Sequence, residues 1–236
     1  MKKKSKSRRK NHNDNIDQET DETFYFVAGY TSGGVAYGTT MEEIVSQELN
    51  FRVAAKSDSK TACELMHLAI GDIAEKLTGQ TKPENIRETL AFFFCENNNR
   101  ISYQNTIVAD VLDEVAGIVI SYQGDDASVL DEPILNRLRK KRRNQEIYFD
   151  KEADAGDYYI DTISVAPKFQ GYGIGTTLIK KAEEAAKQSG FYRVSLNVAR
   201  GNSEAHSLYK KLGYHEEKVI HINGHQYDYM VKILEE

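Results

Sequence analysis

Long apolar runs are missing from this chain of 236 residues, and cysteine nearly so. No stretch of about 18 consecutive apolar residues occurs, so no membrane-spanning helix is expected. The two cysteines, Cys63 and Cys95, lie inside apolar segments of helical pattern. Two thiols so placed are no disulfide framework or metal site, and they read as reduced core residues of a cytoplasmic protein. Acidic residues are missing from the first ten positions, which hold seven of the 31 Lys and Arg. No apolar h-region follows that basic start, so it is not read as a secretory signal. Apolar residues are in turn missing between Met1 and Ile16. Residues 1–22 are therefore expected to be a mobile basic and polar tail.

The apolar fraction, 40%, is enough for a real core. The net charge is −5, but without the basic start the other 226 residues carry −12. A body of that sign is not expected to bind nucleic acid over a broad face, which leaves the tail as the one such contact. A second basic knot, RLRKKRR from Arg137 to Arg143, is either a solvated helix face or a local site for an anionic partner.

Three segments follow from the patterning: the tail, a hairpin-and-helix appendage at 23–50, and an α/β body at 51–236. The appendage has an aromatic strand-like run from Thr23 to Ala28, a turn at Ser32-Gly33-Gly34, and a helix capped by Thr40 with Glu42 and Glu43 near its positive end. In the body, FRVAA reads as a strand. A single helix is expected from Ser57 or Asp58 to Gly79, with Ala62, Leu65, Met66, Ala69, Ile73 and Leu77 at helical spacing. A second helix has Pro83 at an early position. Two strands joined near Asp113-Glu114, a charged helix at 126–146, and a strand ended by Pro167 come next. A Gly-rich turn with its helix, a strand, a helix from Asn202 to Gly213, and a hairpin around Asn223-Gly224 close the chain. The order is that of a mixed α/β layer fold.

The most informative stretch is Gln170-Gly171-Tyr172-Gly173-Ile174-Gly175, between a strand and a helix. Glycines let backbone approach a ligand, and the next helix adds free N–H groups and partial positive charge, which together suit a phosphate or pyrophosphate. It is not a Walker loop, because no Lys-Ser/Thr stands at Gly175-Thr176, and its glycines lack the Gly-x-Gly-x-x-Gly spacing.

The segment IDTISVAPKFQGYGIGTTLIKKAEEAA resembles the coenzyme-A motif of the GNAT family of N-acetyltransferases, Gln/Arg-x-x-Gly-x-Gly/Ala, filled by Gln170, Gly173 and Gly175. NSEAHSLYKKLGY is similar to the family's second motif, matched by Asn202, Ala205, Leu208, Tyr209, Gly213 and Tyr214. The resemblance covers about residues 51–234. It implies a GNAT-type fold, a central twisted mixed sheet flanked by helices, and acetyl transfer from acetyl-CoA to an amine in a ternary complex. The backbone of Ile163, Ser164 and Val165 would pair with the pantetheine arm. Gln170, Gly171, Tyr172, Gly173, Ile174, Gly175 and Thr176 form the pyrophosphate cradle, and Asn202 would contact the coenzyme or serve only as a helix cap. Tyr209 would protonate the leaving thiolate, against the alternative of a ring packed in the core. For the base the sequence leaves Asp161 or a water relay, since Asn197 stands where related ribosomal-protein acetyltransferases carry Glu. His206 reads as exposed, and His215, His221 and His225 make no metal site. The acceptor, small molecule or protein, stays open, as do a homodimer and a non-catalytic acetyl-CoA sensor.

Overall fold

The structure is a computed structural model that describes residues 24–142 and 146–235. The expected tail at 1–22 and Arg143 of the basic knot lie outside the described residues. The chain divides into two compact units, at Glu48/Leu49.

In the first unit, β1 (Phe24–Tyr30) and β2 (Ala36–Thr40) form an antiparallel hairpin that leads into α1 (Met41–Glu48). Thr40 starts α1 as expected. Its Oγ1 accepts from the Glu43 N–H at 3.2 Å, while the Glu43 carboxylate accepts from the Thr40 N–H at 2.8 Å, a reciprocal capping box.

The second unit is one seven-stranded sheet. Its strands are β3 (Leu49–Val53), β4 (Thr106–Val111), β5 (Glu114–Gln123), β6 (Tyr158–Val165), β7 (Arg193–Ala199), β8 (His215–Ile222) and β9 (His225–Ile233), in the order β3-β4-β5-β6-β7-β9-β8. Every pairing is antiparallel except β6 with β7. Strand β5 is buried over eight successive residues, as a central strand covered on both faces must be. Its Ile118, Ile120 and Tyr122 join the core built by α2 (Ser59–Ile70), α3 (Ile73–Thr78), α4 (Pro83–Cys95) and α5 (Ala127–Lys141). At Gly117 a Cβ would come within 3.0 Å of Leu178, on α6 (Ile174–Gln188), so absence of a side chain lets that helix approach. No helix among the described residues is long and apolar enough to cross a membrane.

Three local expectations change. The helix expected to run from Ser57/Asp58 to Gly79 is two helices, because Gly71 takes φ 52°, ψ −123° and ends α2. Asp58 caps no α2 N–H: its carboxylate accepts from Ala55 N at 2.7 Å and pairs with Arg52 at 2.7 Å. The charged helix is in part a core helix, since α5 buries Ile134, Leu135 and Leu138 at helical spacing.

Candidate active site

Strands β6 and β7 pair only from Tyr158↔Val194 to Ile160↔Leu196. Beyond that point β6 stays with β5 as far as Val165↔Gly117, and β7 with β9 as far as Ala199↔Tyr227. The two strands therefore part, and the β6 edge from Asp161 to Val165 has no β7 partner. A cleft of about 420 Å³ opens there, lined by Ile163, Ser164 and Val165 on one side, by Asn197 to Ala199 on the other, and by Gln170, Asn202 and Tyr209. Of the motif residues, Ile163 to Val165, Gln170, Asn202 and Tyr209 meet here, whereas Gly171 to Thr176 are not among the lining residues, and the Val165 carbonyl already accepts from Gln170 Nε2 at 3.1 Å.

The Gly-rich turn leads from this edge into α6. Gly171 and Gly173 have φ of 85° and 77°, and nothing lies within 4 Å of where a Cβ would stand on either. Both glycines are required by the left-handed backbone, and the space beside them is open. Gly173 is the residue before α6, and no side chain caps the helix. The N–H groups of the first turn, from Ile174 to Thr176, have no side-chain acceptor among the described residues, while the Ile174 side chain is buried beneath. Tyr172 is half-buried.

Asn202 precedes α7 (Ser203–Lys211) and accepts from the Ala205 N–H at 3.0 Å, so it is a cap and a lining residue of the cleft at once. Two turns on, Tyr209 is packed edge-to-face on Tyr214 with ring centroids 6.0 Å apart. Its hydroxyl has no hydrogen-bond partner among the described residues, and burial raises its pKa to about 12. His206 is not exposed as expected. Its side chain is only 14% exposed because Nε2 faces Asp228 at 3.1 Å and Nδ1 faces Glu216 at 3.5 Å. Lys210 and Arg200 pair with the same two carboxylates, so the group ties α7 to β8 and β9.

Next to the cleft lies a second cavity, of about 140 Å³. Ala69, Ile70, Asp161, Thr162, Asn197 and Tyr227 line both. Arg100 is buried against it, and all five of its N–H groups are used. Nε and Nη2 donate to Asp161 Oδ2 at 2.9 and 2.6 Å, Nη1 and Nη2 to the two oxygens of Glu152 at 3.1 and 2.7 Å, and Nη1 to Asp131 at 3.3 Å. Asp161 further accepts from the Tyr122 hydroxyl at 2.7 Å and from Thr162 Oγ1 at 2.8 Å. Tyr159 donates to Glu152 at 3.2 Å. Burial raises the Asp131 carboxyl to about 6; Arg100 opposes the shift, while Glu152 and Asp161 add to it.

Asn197, dismissed as a base on sequence, closes this network. Its Nδ2 donates to the Glu152 carbonyl and to the Tyr159 hydroxyl, both at 2.9 Å. A carbonyl can only accept, which fixes the orientation of the amide. Its Oδ1 is buried and has no partner among the described residues. Sequence reasoning missed Arg100, Glu152, Asp131, Tyr122 and Tyr159. They come from five separate segments, and no spacing along the chain links them.

The model of the family described as "Acetyltransferase (GNAT) family" matches residues 72–214. An uncharacterized N-acetyltransferase of Methanocaldococcus jannaschii is 48% identical over 61 residues, 26% of this chain and 27% of that protein. The thialysine N-epsilon-acetyltransferase of Mus musculus is 44% identical over 55 residues, 23% of this chain and 32% of that protein. The chain thus spans about a third of the length of the curated relatives it matches. Similarity to solved structures reaches further. A crystal structure of an acetyltransferase superposes with a TM-score of 0.67 at 31% identity, over 79% of this chain and 100% of that one. The N-acetyltransferase from Staphylococcus aureus Mu50 gives 0.65 at 25% identity, over 78% and 100%. With its mixed sheet, its parted central strands and a family match over more than half its length, the chain belongs to the acetyltransferase (GNAT) family.

Proposed function

We propose that this protein transfers an acetyl group from acetyl-CoA to an amine by direct attack in a ternary complex. The observation that carries the reading is the parting of β6 and β7, which sets an unpartnered Tyr209 hydroxyl in a cleft that shares its lining with an acid-rich cavity.

The residues present fit the coenzyme. The unpaired β6 edge at Ile163 and Ser164 offers backbone groups to the amides of a pantetheine arm. The turn from Gln170 to Thr176, with its open space at Gly171 and Gly173, offers N–H groups to a pyrophosphate. Asn202 stands beside it. The coenzyme supplies an acyl group activated as a thioester. A free N–H of the β6 edge would polarise the carbonyl that the amine attacks.

As the C–N bond forms and the C–S bond breaks, Tyr209 donates its proton to sulfur, and the nitrogen gives up a proton to water. The raised pKa keeps the phenol protonated at neutral pH, and the same burial makes the departing thiolate more basic. Asp161, the other candidate for proton removal, receives four hydrogen bonds from Arg100, Tyr122 and Thr162. A carboxylate offers about four such sites. We therefore assign Asp161 to holding Arg100 and proton removal to water. The free thiols of Cys63 and Cys95 agree with a reduced, cytoplasmic setting.

The mouse relative is by its name a thialysine N-epsilon-acetyltransferase, and amine acceptors are the class to try first. Thiol release from acetyl-CoA, followed across a panel of amines, tests the reading. Amine-dependent release supports it. A chain that binds coenzyme A yet releases no thiol with any amine is a sensor, and the proposal fails.

A further inference from the structure

The cavity beside the cleft has two different walls. Ile70, Ile73, Leu77, Phe149 and Ile222 make one part apolar. The other part holds Arg100, Glu152, Asp161 and Asn197. Asp131 touches Arg100 from α5, so three carboxylates surround one guanidinium and the group carries surplus negative charge. The other charged lining residues, Lys76 and Asp150, pair with each other at 2.7 Å.

Three consequences follow for an occupant. First, Arg100 cannot receive an anion, because each of its five N–H groups already has a carboxylate oxygen. A carboxylate brought in with the amine would meet Glu152 and Asp161, and the one other cation of the lining, Lys76, is already paired with Asp150, so the newcomer would be a poorly compensated buried charge. Second, a second cation finds no unpaired carboxylate among the lining residues beyond the Arg100 group. Third, Asn197 Oδ1 is a buried acceptor without a donor, on a residue that lines both cavities. A buried acceptor gains most from a donor the protein does not supply.

We infer that the acceptor is a primary amine at the end of a slim apolar stem, with no anionic group next to the nitrogen, and that Asn197 Oδ1 receives one of its N–H groups. The inference rests on the acetyl-transfer reading and narrows it to one kind of amine. The size agrees: about 140 Å³ is close to the roughly 150 Å³ cavity that takes a benzene. α-Amino acids fall outside this class, and polyamines gain nothing from their extra charges.

Direct binding to the full-length chain tests this without turnover and without coenzyme. Four probes share one five-carbon stem: pentylamine, norleucine, pentane-1,5-diamine and pentyltrimethylammonium. By calorimetry pentylamine should bind at least about tenfold more tightly than norleucine, which adds only the α-carboxylate. The diamine should bind within about threefold of pentylamine, there being no second carboxylate to reward it. The quaternary ion keeps the charge and loses every N–H, and should bind at least about tenfold more weakly. Norleucine equal to pentylamine, or a diamine tenfold tighter, overturns the substrate class. A quaternary ion as tight as pentylamine overturns the role of Asn197. Glu152→Gln removes one negative charge and should weaken pentylamine about tenfold. Since that amide also confronts Arg100 and can disturb folding, the comparison of ligands on the unaltered protein decides. Coenzyme binding is measured separately, so its failure would count against acetyl transfer and not against the amine pocket.

Discussion

Leu112 is held at φ 51° and Asp113 at φ 61°, in the two-residue turn between β4 and β5. Both left-handed conformations suit the twist of a hairpin, but a leucine there pays for its Cβ about 1–2 kcal/mol. Leu112 is 42% exposed, so little packing would be lost with it. Leu112→Asn should therefore stabilise the chain by about 1 kcal/mol and raise Tm by about 2–4 °C. An unchanged or lower melting temperature would show that the side chain is needed where it is.

Tyr209 is the residue on which the chemistry turns. Tyr209→Phe keeps the ring against Tyr214 and removes only a hydroxyl that has no partner among the described residues, so stability and coenzyme affinity should hardly move. The turnover number should fall by about 10²–10⁴, equally in kcat and kcat/KM, because the contact exists only in the transition state. Burial moves this phenol up to about 12, so the parent kcat should show no descending limb from its ionisation below about pH 11. Rates within twofold of the parent would assign the proton to solvent.

At the level of elements, α6 and α5 carry distinct expectations. The entry to α6 depends on Gly173 at φ 77°, with open space where a Cβ would stand. Gly173→Val strains the backbone by about 1–2 kcal/mol, which lowers Tm by a few degrees and leaves the fold intact. The added side chain projects into the space assigned to the pyrophosphate, and calorimetry should show coenzyme affinity at least about tenfold lower. Unchanged affinity would remove the turn from the coenzyme site.

Helix α5 delivers Asp131 to Arg100, among Glu152 and Asp161. Burial lifts this carboxyl to about 6, so it binds its proton more tightly in the folded chain than in the unfolded one. Ionising it costs stability, and its contribution falls as pH rises from about 4 to about 6. Asp131→Asn abolishes that titration. The melting temperature of the variant relative to the parent should thus climb between pH 4 and pH 7, by the equivalent of up to about 3 kcal/mol. A difference that falls over this range would mean that attraction to Arg100 outweighs burial.

For the molecule as a whole, the charge outside the first ten residues is −12. Such a field attracts cationic amines and repels a polyanionic coenzyme, and salt screens both over about 8 Å at physiological strength. Raising salt should lower kcat/KM for pentylamine by a few fold and leave coenzyme affinity unchanged or improved. Opposite slopes would place the steering charge elsewhere.

Features set by neighbours along the chain could be read from the sequence. Thr40 with Glu43, Pro83 at the start of α4, the turn at Asn223-Gly224 and the glycines before α6 all lie where their local chemistry puts them. That Ser164, Asn202 and Tyr209 line one cleft was implied by the resemblance of their motifs to a family and not by any period along the chain, since three separate elements carry them. The break at Gly71 was less legible, since the apolar spacing continues across it while the backbone reverses. Arg100, Asp131, Glu152 and Asp161 were not legible as a group. A charge can be buried only where partners from other strands and helices complete its hydrogen bonds. Asn197 shows the division at one position: the sequence determined that it is no base, while only the packing of β7 against Glu152 and Tyr159 left its oxygen without a donor. A buried amide oxygen without a donor carries a desolvation cost, and that cost depends on groups brought together from distant parts of the chain, which no local pattern reveals.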